Sequence, residues 1–193
     1  MTATEGTTMS GIIRLYKRDE EGTLHFREAW IDEEYHEFVM NYGVVGHQST
    51  TEETEAADAA AGEGLMEAFA AQCAEDGYAE IPDEDQFWVV AQYALKTKDG
   101  TSRDRYLEEK AKDALIGHLA WRGLGVVDRS EFSDAKLNIF CLTPEVNKTV
   151  NAIKVCIRGE DLDFTKLSIG AAPYNGTDFK LKHSAKPANS FTL

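Results

Sequence analysis

After the opening ten residues, apolar and polar positions alternate along the chain in a way that predicts strands. "IIRLY" (Ile12–Tyr16) carries the period of two expected of a half-buried strand, and "DEEG" (Asp19–Gly22) supplies turn chemistry. "LHFREAWI" (Leu24–Ile31) places Leu24, Phe26 and Glu28 on one face of a second strand, and "HEFVMNYG" (His36–Gly43) reads as a third. The Thr- and Glu-rich "HQSTTEETEAAD" (His47–Asp58) has no apolar period and predicts a loop. A helix follows, because Leu65, Phe69 and Cys73 recur every four residues with Met66 and Ala70 beside them, an apolar stripe that faces a sheet. Gly77 falls where a helix ends in a left-handed residue. "YAEIP" (Tyr78–Pro82) predicts a short strand, and Pro82–Gln86 a linker that closes a first domain of residues 11–82.

The second half alternates more regularly. "QFWVVAQYALK" (Gln86–Lys96) predicts a mostly apolar strand, and "KDGTS" a turn in which Thr101 or Ser102 caps a helix with Asp104 near its positive end. Leu107, Ala111, Leu115 and Leu119 form that helix's stripe, and Gly123 and Gly125 end it. "VVDRSEF" and "KLNIFCL" predict two strands joined through "SDA". Thr143 as cap and Pro144 as first residue predict the start of a last helix, whose buried face is Val146, Val150, Ile153 and Ile157. "FTKLSIGAAPY" predicts a strand, "NGT" a hairpin turn, and "FKLKHSA" a final strand, with fraying from Lys186 onward. The order β-α-β-β-α-β plus one strand predicts a ferredoxin-like (split βαβ) antiparallel sheet with two helices over residues 83–193. The fold class expected for the whole chain is therefore α+β, with an N-terminal antiparallel sheet and one helix before it.

The run "FREAWIDEEYHEFVMNYGVVGHQ", a polar loop, and a helix ending "AEDGYAEI" resemble the WGR domain, named for a Trp-Gly-Arg signature at a strand end with a second Gly two residues later. Tyr42, Gly43 and Val44 stand at the signature, Gly46 at the second Gly, and Gly77-Tyr78 at the helix end; the resemblance covers about residues 11–82. It implies an antiparallel sheet with one helix and, from family members in poly(ADP-ribose) polymerases, DNA-break recognition through the signature Trp and Arg. Here Tyr42 and Val44 replace those two residues, so the guanidinium that would pair with phosphate is an isopropyl group. "WRG" at Trp121–Gly123 lies at a helix end in the other half and is not the signature.

Charge sharpens this. Residues 1–82 carry 4 Lys and Arg against 18 Asp and Glu, so the whole formal charge of −14 belongs to them; residues 83–193 balance at 16 and 16. Affinity for DNA grows with the phosphates that Lys and Arg neutralise, so here the electrostatics have the wrong sign for DNA and the right sign for a basic partner. No apolar run approaches the roughly 20 residues that span a bilayer, and "MTATEGTTMS" has neither the basic nor the apolar part of a secretory signal. These ten residues are expected to form a disordered tail. Three widely spaced cysteines, Cys73, Cys141 and Cys156, lie in apolar patterns and predict buried free thiols in a reducing, cytoplasmic setting.

Catalytic patterns are weak throughout. There is no CxxC pair, no GxSxG elbow and no Gly-rich phosphate loop, and His36-Glu37 lacks the second His that a helical zinc site needs. His118 sits beside Leu115 and Leu119 as a packing imidazole, and Asp83–Gln86 lacks the Gly and terminal Glu of an EF-hand loop. "KLKHSAK" (Lys180, Lys182, His183, Lys186) suits either an acidic partner or a charged edge strand that resists aggregation. No cofactor or metal is implied. The leading expectation is a non-enzymatic interaction protein of bacterial immunity-protein or antitoxin character, binding a basic partner through Glu33, Glu34, Glu37, Glu52, Glu53 and Glu55 and the Tyr42-Gly43-Val44 and Gly46 region. Two alternatives stand beside it: a ligand or enzyme site on the sheet face of the second domain, and a nucleic-acid module in the neutral half.

Overall fold

The computed structural model describes residues 11–193; the expected N-terminal tail lies outside them. The fold is α+β, with two antiparallel sheets and three long helices among the described residues. It divides into two compact units: residues 11–44 with Ser49–Glu80, and Val45–Gln48 with Ile81–Leu193.

In the first unit β1 (Ile13–Arg18), β2 (Leu24–Asp32), β3 (Glu37–Val44) and β4 (Thr50–Glu55) form a meander in sequence order. One helix, α1 (Ala59–Glu75), packs on one face. Leu15, Ala29 and Phe38 of the sheet meet Phe69 and Cys73 of α1, with Leu65 and Met66 at the margin. Asp58 caps the helix by accepting from the Ala61 N–H at 2.8 Å. At the other end Tyr78 N–H reaches Cys73 O and Gly77 N–H reaches Ala74 O, with Gly77 at φ +82°, the paired bonds of a Schellman ending. Glu28 is buried beside Leu24 and Phe26, and Arg14 holds it with two bonds of 2.9 Å.

Two expectations are corrected here. Thr50–Glu55 is a strand and not a loop: it pairs with β3 from Tyr42↔Thr50 to Glu37↔Glu55. An edge strand takes its ladder bonds from one neighbour and needs no apolar face when both its faces stay in solvent. "YAEIP" is not a strand, because only Ala79 pairs, in an isolated bridge to Tyr16.

The second unit has strand order β6-β7-β5-β8-β9. Its elements are β5 (Phe87–Ala94), α2 (Ser102–Ala120), β6 (Val126–Ser133), β7 (Lys136–Thr143), α3 (Val146–Gly159), β8 (Leu167–Pro173) and β9 (Lys180–Ser184). This is the split βαβ plan with one strand added beyond β8. Val89, Ala91 and Tyr93 of β5, with Leu137, Ile139 and Cys141 of β7, point to the face that buries Leu115, Leu119, Ile153 and Ile157 of the helices. Thr101 caps α2 in a full capping box with Asp104, which accepts from the Thr101 N–H at 2.7 Å. Asp134 and Ala135, both at positive φ, make the two-residue turn between β6 and β7.

The expected linker is exposed at Pro82–Asp85, contains a 3-10 turn at Asp83–Asp85 and lies just past the division of the units between Glu80 and Ile81. Two local expectations fail in this unit. Helix α3 starts after Glu145, not at Pro144. Thr143 remains the last residue of β7, where its hydroxyl accepts from Glu145 N–H and shares a 2.6 Å bond with Thr149. Asn175 and Gly176 lie in a six-residue connection, residues 174–179, turned by Gly176 N–H to Pro173 O. The expected NGT turn thus lies within the β8–β9 hairpin connection, although neither Asn175 nor Gly176 has the positive φ of a two-residue Asn-Gly turn. The chain beyond Lys186 does not fray. Phe191 is buried against Val90, Phe140, Ala172 and Phe179, and Thr192 O accepts from Gln92 Nε2 and Lys136 Nζ, each at 2.8 Å.

Candidate functional site

The β2–β3–β4 register decides where the acidic residues stand. Asp32 pairs with Glu37, and Glu37 pairs with Glu55, so three carboxylates cross the sheet in one row. Glu53, two residues before Glu55, shares their face beside Val39. Glu33 and Glu34 occupy the exposed turn next to the row, where Asp32 accepts from Glu34 N–H at 3.0 Å and Tyr35 N–H at 3.2 Å. His36 completes the turn at φ +55°. Like charges placed opposite each other across a ladder destabilise it, so the row is an electrostatic cost to the unit that carries it.

Among the described residues no ion pair between this row and a Lys or Arg is present. Arg14 is committed to Glu28, Arg27 to Asp76 and the Tyr78 ring, Lys17 to Asp76 O, and Arg18 donates to Gly22 O. None of Glu33, Glu34, Glu37, Glu53 and Glu55 has a Lys or Arg partner among the described residues. Glu52 points to the opposite face and accepts from the Tyr42 hydroxyl at 2.7 Å. That bond raises the Tyr42 phenol above its ordinary value.

The four residues aligned with the WGR signature serve other contacts. Tyr42 binds Glu52, Gly43 pairs with Phe26, and Val44 pairs with His25 as the last residue of β3. Gly46 belongs to the second unit: its N–H donates to Arg122 O at 2.8 Å, its φ is +91°, and a Cβ there would lie 2.9 Å from Lys148 Cδ. Lys148 Nζ donates to the neighbouring Val45 O at 2.9 Å. The register thus gathers the acids of β2, β3 and β4, all in the first unit.

The sheet face of the second unit, considered above as a ligand site, is occupied by the protein itself. Phe179 and Phe191 lie 6.1 Å apart over it, and the Phe191 ring fills the space a Cβ on Gly170 would take. Beside them Trp88 stacks on Tyr174 at 5.6 Å and donates its indole N–H to Tyr174 O at 3.1 Å. The Arg129 guanidinium covers Phe140 at 3.9 Å and Trp88 at 4.9 Å.

The remaining reactive groups are quiet. All three cysteines are buried and free; burial pushes the Cys141 thiol up to about 12 and Cys156 up to about 11, with Glu160 adding to the latter. His118 and His183 both titrate below the ordinary imidazole value, first because burial penalises the charged ring and then because Arg122, or Lys154 and Arg158, lie close. Among the described residues no group of three or more His, Cys, Asp and Glu is arranged to hold a metal, and no helix is long and apolar enough to cross a membrane.

A concave feature that the sequence reading missed lies between α2 and α3. It has a volume of about 380 Å³ and is lined by Gln48, Ala114, Gly117, His118, Trp121, Arg122, Cys156 and Glu160, all in the second unit. Gly117, a helix-interior glycine whose Cβ position is empty, was its one sequence signal. The chain matches no protein-family profile, no curated protein and no solved structure.

Proposed function

We propose that this chain is a non-enzymatic interaction protein whose acidic first unit, a WGR-like module with the DNA-reading residues replaced, binds a basic partner protein in the cytoplasm. Its character is that of an immunity protein or antitoxin, which neutralises a cationic protein by complementary charge. The observation that supports this most is the uncompensated row Asp32–Glu37–Glu55 with Glu53, flanked by Glu33 and Glu34. A fold that aligns carboxylates across a ladder and leaves them without cations keeps a repulsion that a basic partner would relieve.

Exposed charges of this kind act chiefly on encounter. Steering raises association rates by about 10- to 1,000-fold at low salt and fades as the Debye length shortens to about 8 Å at physiological ionic strength. The test begins with capture of a basic protein from the source lysate at low ionic strength. Association rates are then measured for the native chain and for a combined Glu33→Gln, Glu34→Gln, Glu37→Gln, Glu53→Gln, Glu55→Gln variant. At least a tenfold loss of rate, with a flattened salt dependence, is expected. An unchanged rate refutes the proposal.

A further inference from the structure

The groove between α2 and α3 combines features that no packing role uses. His118 lines the groove, and its Nε2 is buried without a hydrogen-bond partner. Arg122 spends one donor, Nη1, on His118 O at 3.0 Å, which anchors the guanidinium while leaving other N–H groups to donate. Glu160 is exposed and has no cation partner among the described residues. Arg122 and Glu160 line the groove together with Cys156, whose thiol is raised first by burial, then raised by Glu160 and lowered by Arg122.

The rest of the lining is apolar or small. Trp121 is 46% exposed, Ala114 and Gly117 are small, and the neutral Cys156 thiol behaves as a small apolar group. Val45 O accepts from Lys148 Nζ and Gly46 N–H donates to Arg122 O, two residues before Gln48. A groove lined by a cation, an anion and an aromatic side chain has the layout of a small-molecule site.

We propose that this groove binds a small zwitterion with an apolar side chain, its carboxylate on Arg122, its ammonium on Glu160 and its apolar body against Trp121 and Gly117. A simple anion would meet Glu160 repulsively and a simple amine would meet Arg122 so; a zwitterion satisfies both. The volume of about 380 Å³ admits an amino acid or a dipeptide. This inference is independent of the acidic row in the first unit.

The experiment titrates the full chain with phenylalanine, leucine and the dipeptide leucyl-phenylalanine, followed by backbone and imidazole NMR shifts. N-acetyl-phenylalanine and phenylalanine amide, which each lack one charge, are the controls. Saturable shifts centred on His118, Gly117 and Trp121 are expected, weakened at least tenfold by either blocked form and by Arg122→Gln or Glu160→Gln. The amino-acid and dipeptide arms separate the two sources of zwitterion. Gly117→Leu places a side chain in the groove where a Cβ meets nothing within 4 Å, and is expected to abolish the shifts with an unchanged melting temperature. No saturable shift with any zwitterion up to millimolar concentration overturns the proposal. Binding that survives Gly117→Leu, or that is equal for the blocked forms, overturns it too.

Discussion

Removing the Phe191 ring is the sharpest test of how the second unit is closed. Phe191 is 7% exposed and packs on Val90, Phe140, Ala172 and Phe179, above a glycine that leaves room for it. A phenylalanine buries about 150–250 Å², which at about 25 cal/mol/Å² corresponds to roughly 4–6 kcal/mol of transfer free energy. The opposing term is the order imposed on the exposed residues between β9 and Phe191, at about 1–2 kcal/mol for each residue fixed. A chain segment that can undock also limits the loss, since the cost cannot exceed its net docking free energy. Phe191→Ala is therefore expected to destabilise the second unit by about 2–3 kcal/mol, below the roughly 3–5 kcal/mol of a Phe→Ala change inside a fixed core. Urea unfolding at pH 7 measures it, and binding of a hydrophobic dye reports the uncovered face. The Phe179→Ala and Phe191→Ala cycle should show coupling of about 0.5–1.5 kcal/mol from the ring pair. A loss below about 0.5 kcal/mol, near the noise for an exposed site, would refute the reasoning and return the segment to a frayed end.

Four further outcomes follow from the contacts described. Glu28→Gln leaves the Arg14 guanidinium buried without its bidentate carboxylate and is expected to cost about 3–5 kcal/mol in chemical denaturation. Gly46→Ala forces a non-glycine residue to φ +91° against Lys148 and is expected to cost about 1–2 kcal/mol; a neutral effect in thermal melts would show that the loop can relax. His118 and His183 are held below the ordinary imidazole value, so the folded protein binds fewer protons than the unfolded chain. Their stabilisation is therefore present above about pH 6.5 and is lost as pH falls through that value toward the folded-state values, a slope that His118→Gln should reduce in urea midpoints taken across pH 5–8. Finally, a thiol reagent at pH 8 should modify Cys141 only on the timescale of unfolding, because burial holds its thiol at about 12; fast labelling of Cys141 would contradict its burial.

The helices were legible because their information is local. Leu65, Phe69 and Cys73, then Ala111, Leu115 and Leu119, then Val150, Ile153 and Ile157, repeat at a spacing that a single turn of backbone enforces. The Thr101–Asp104 cap and the Gly77 ending are likewise set within four residues. The order of strands around α2 and α3 carried the split βαβ plan for the same reason, since each apolar run announced its own element. The groove was not legible: it gathers residues from α2, α3 and the Val45–Gln48 segment, and only the helix-interior Gly117 hinted at it.

Taken alone, the amino-acid order determined the three helices, most of the strands and the concentration of carboxylates in residues 1–82. Tertiary structure alone decided that the polar Thr50–Glu55 is a strand, that Asp32, Glu37 and Glu55 share one row, and that Phe191 returns to the sheet. The physical reason is the same in each case. An edge strand is stabilised by its neighbour's ladder, a cross-strand row by register, and a returning aromatic by a cavity built from distant residues, and none of these partners is near in sequence.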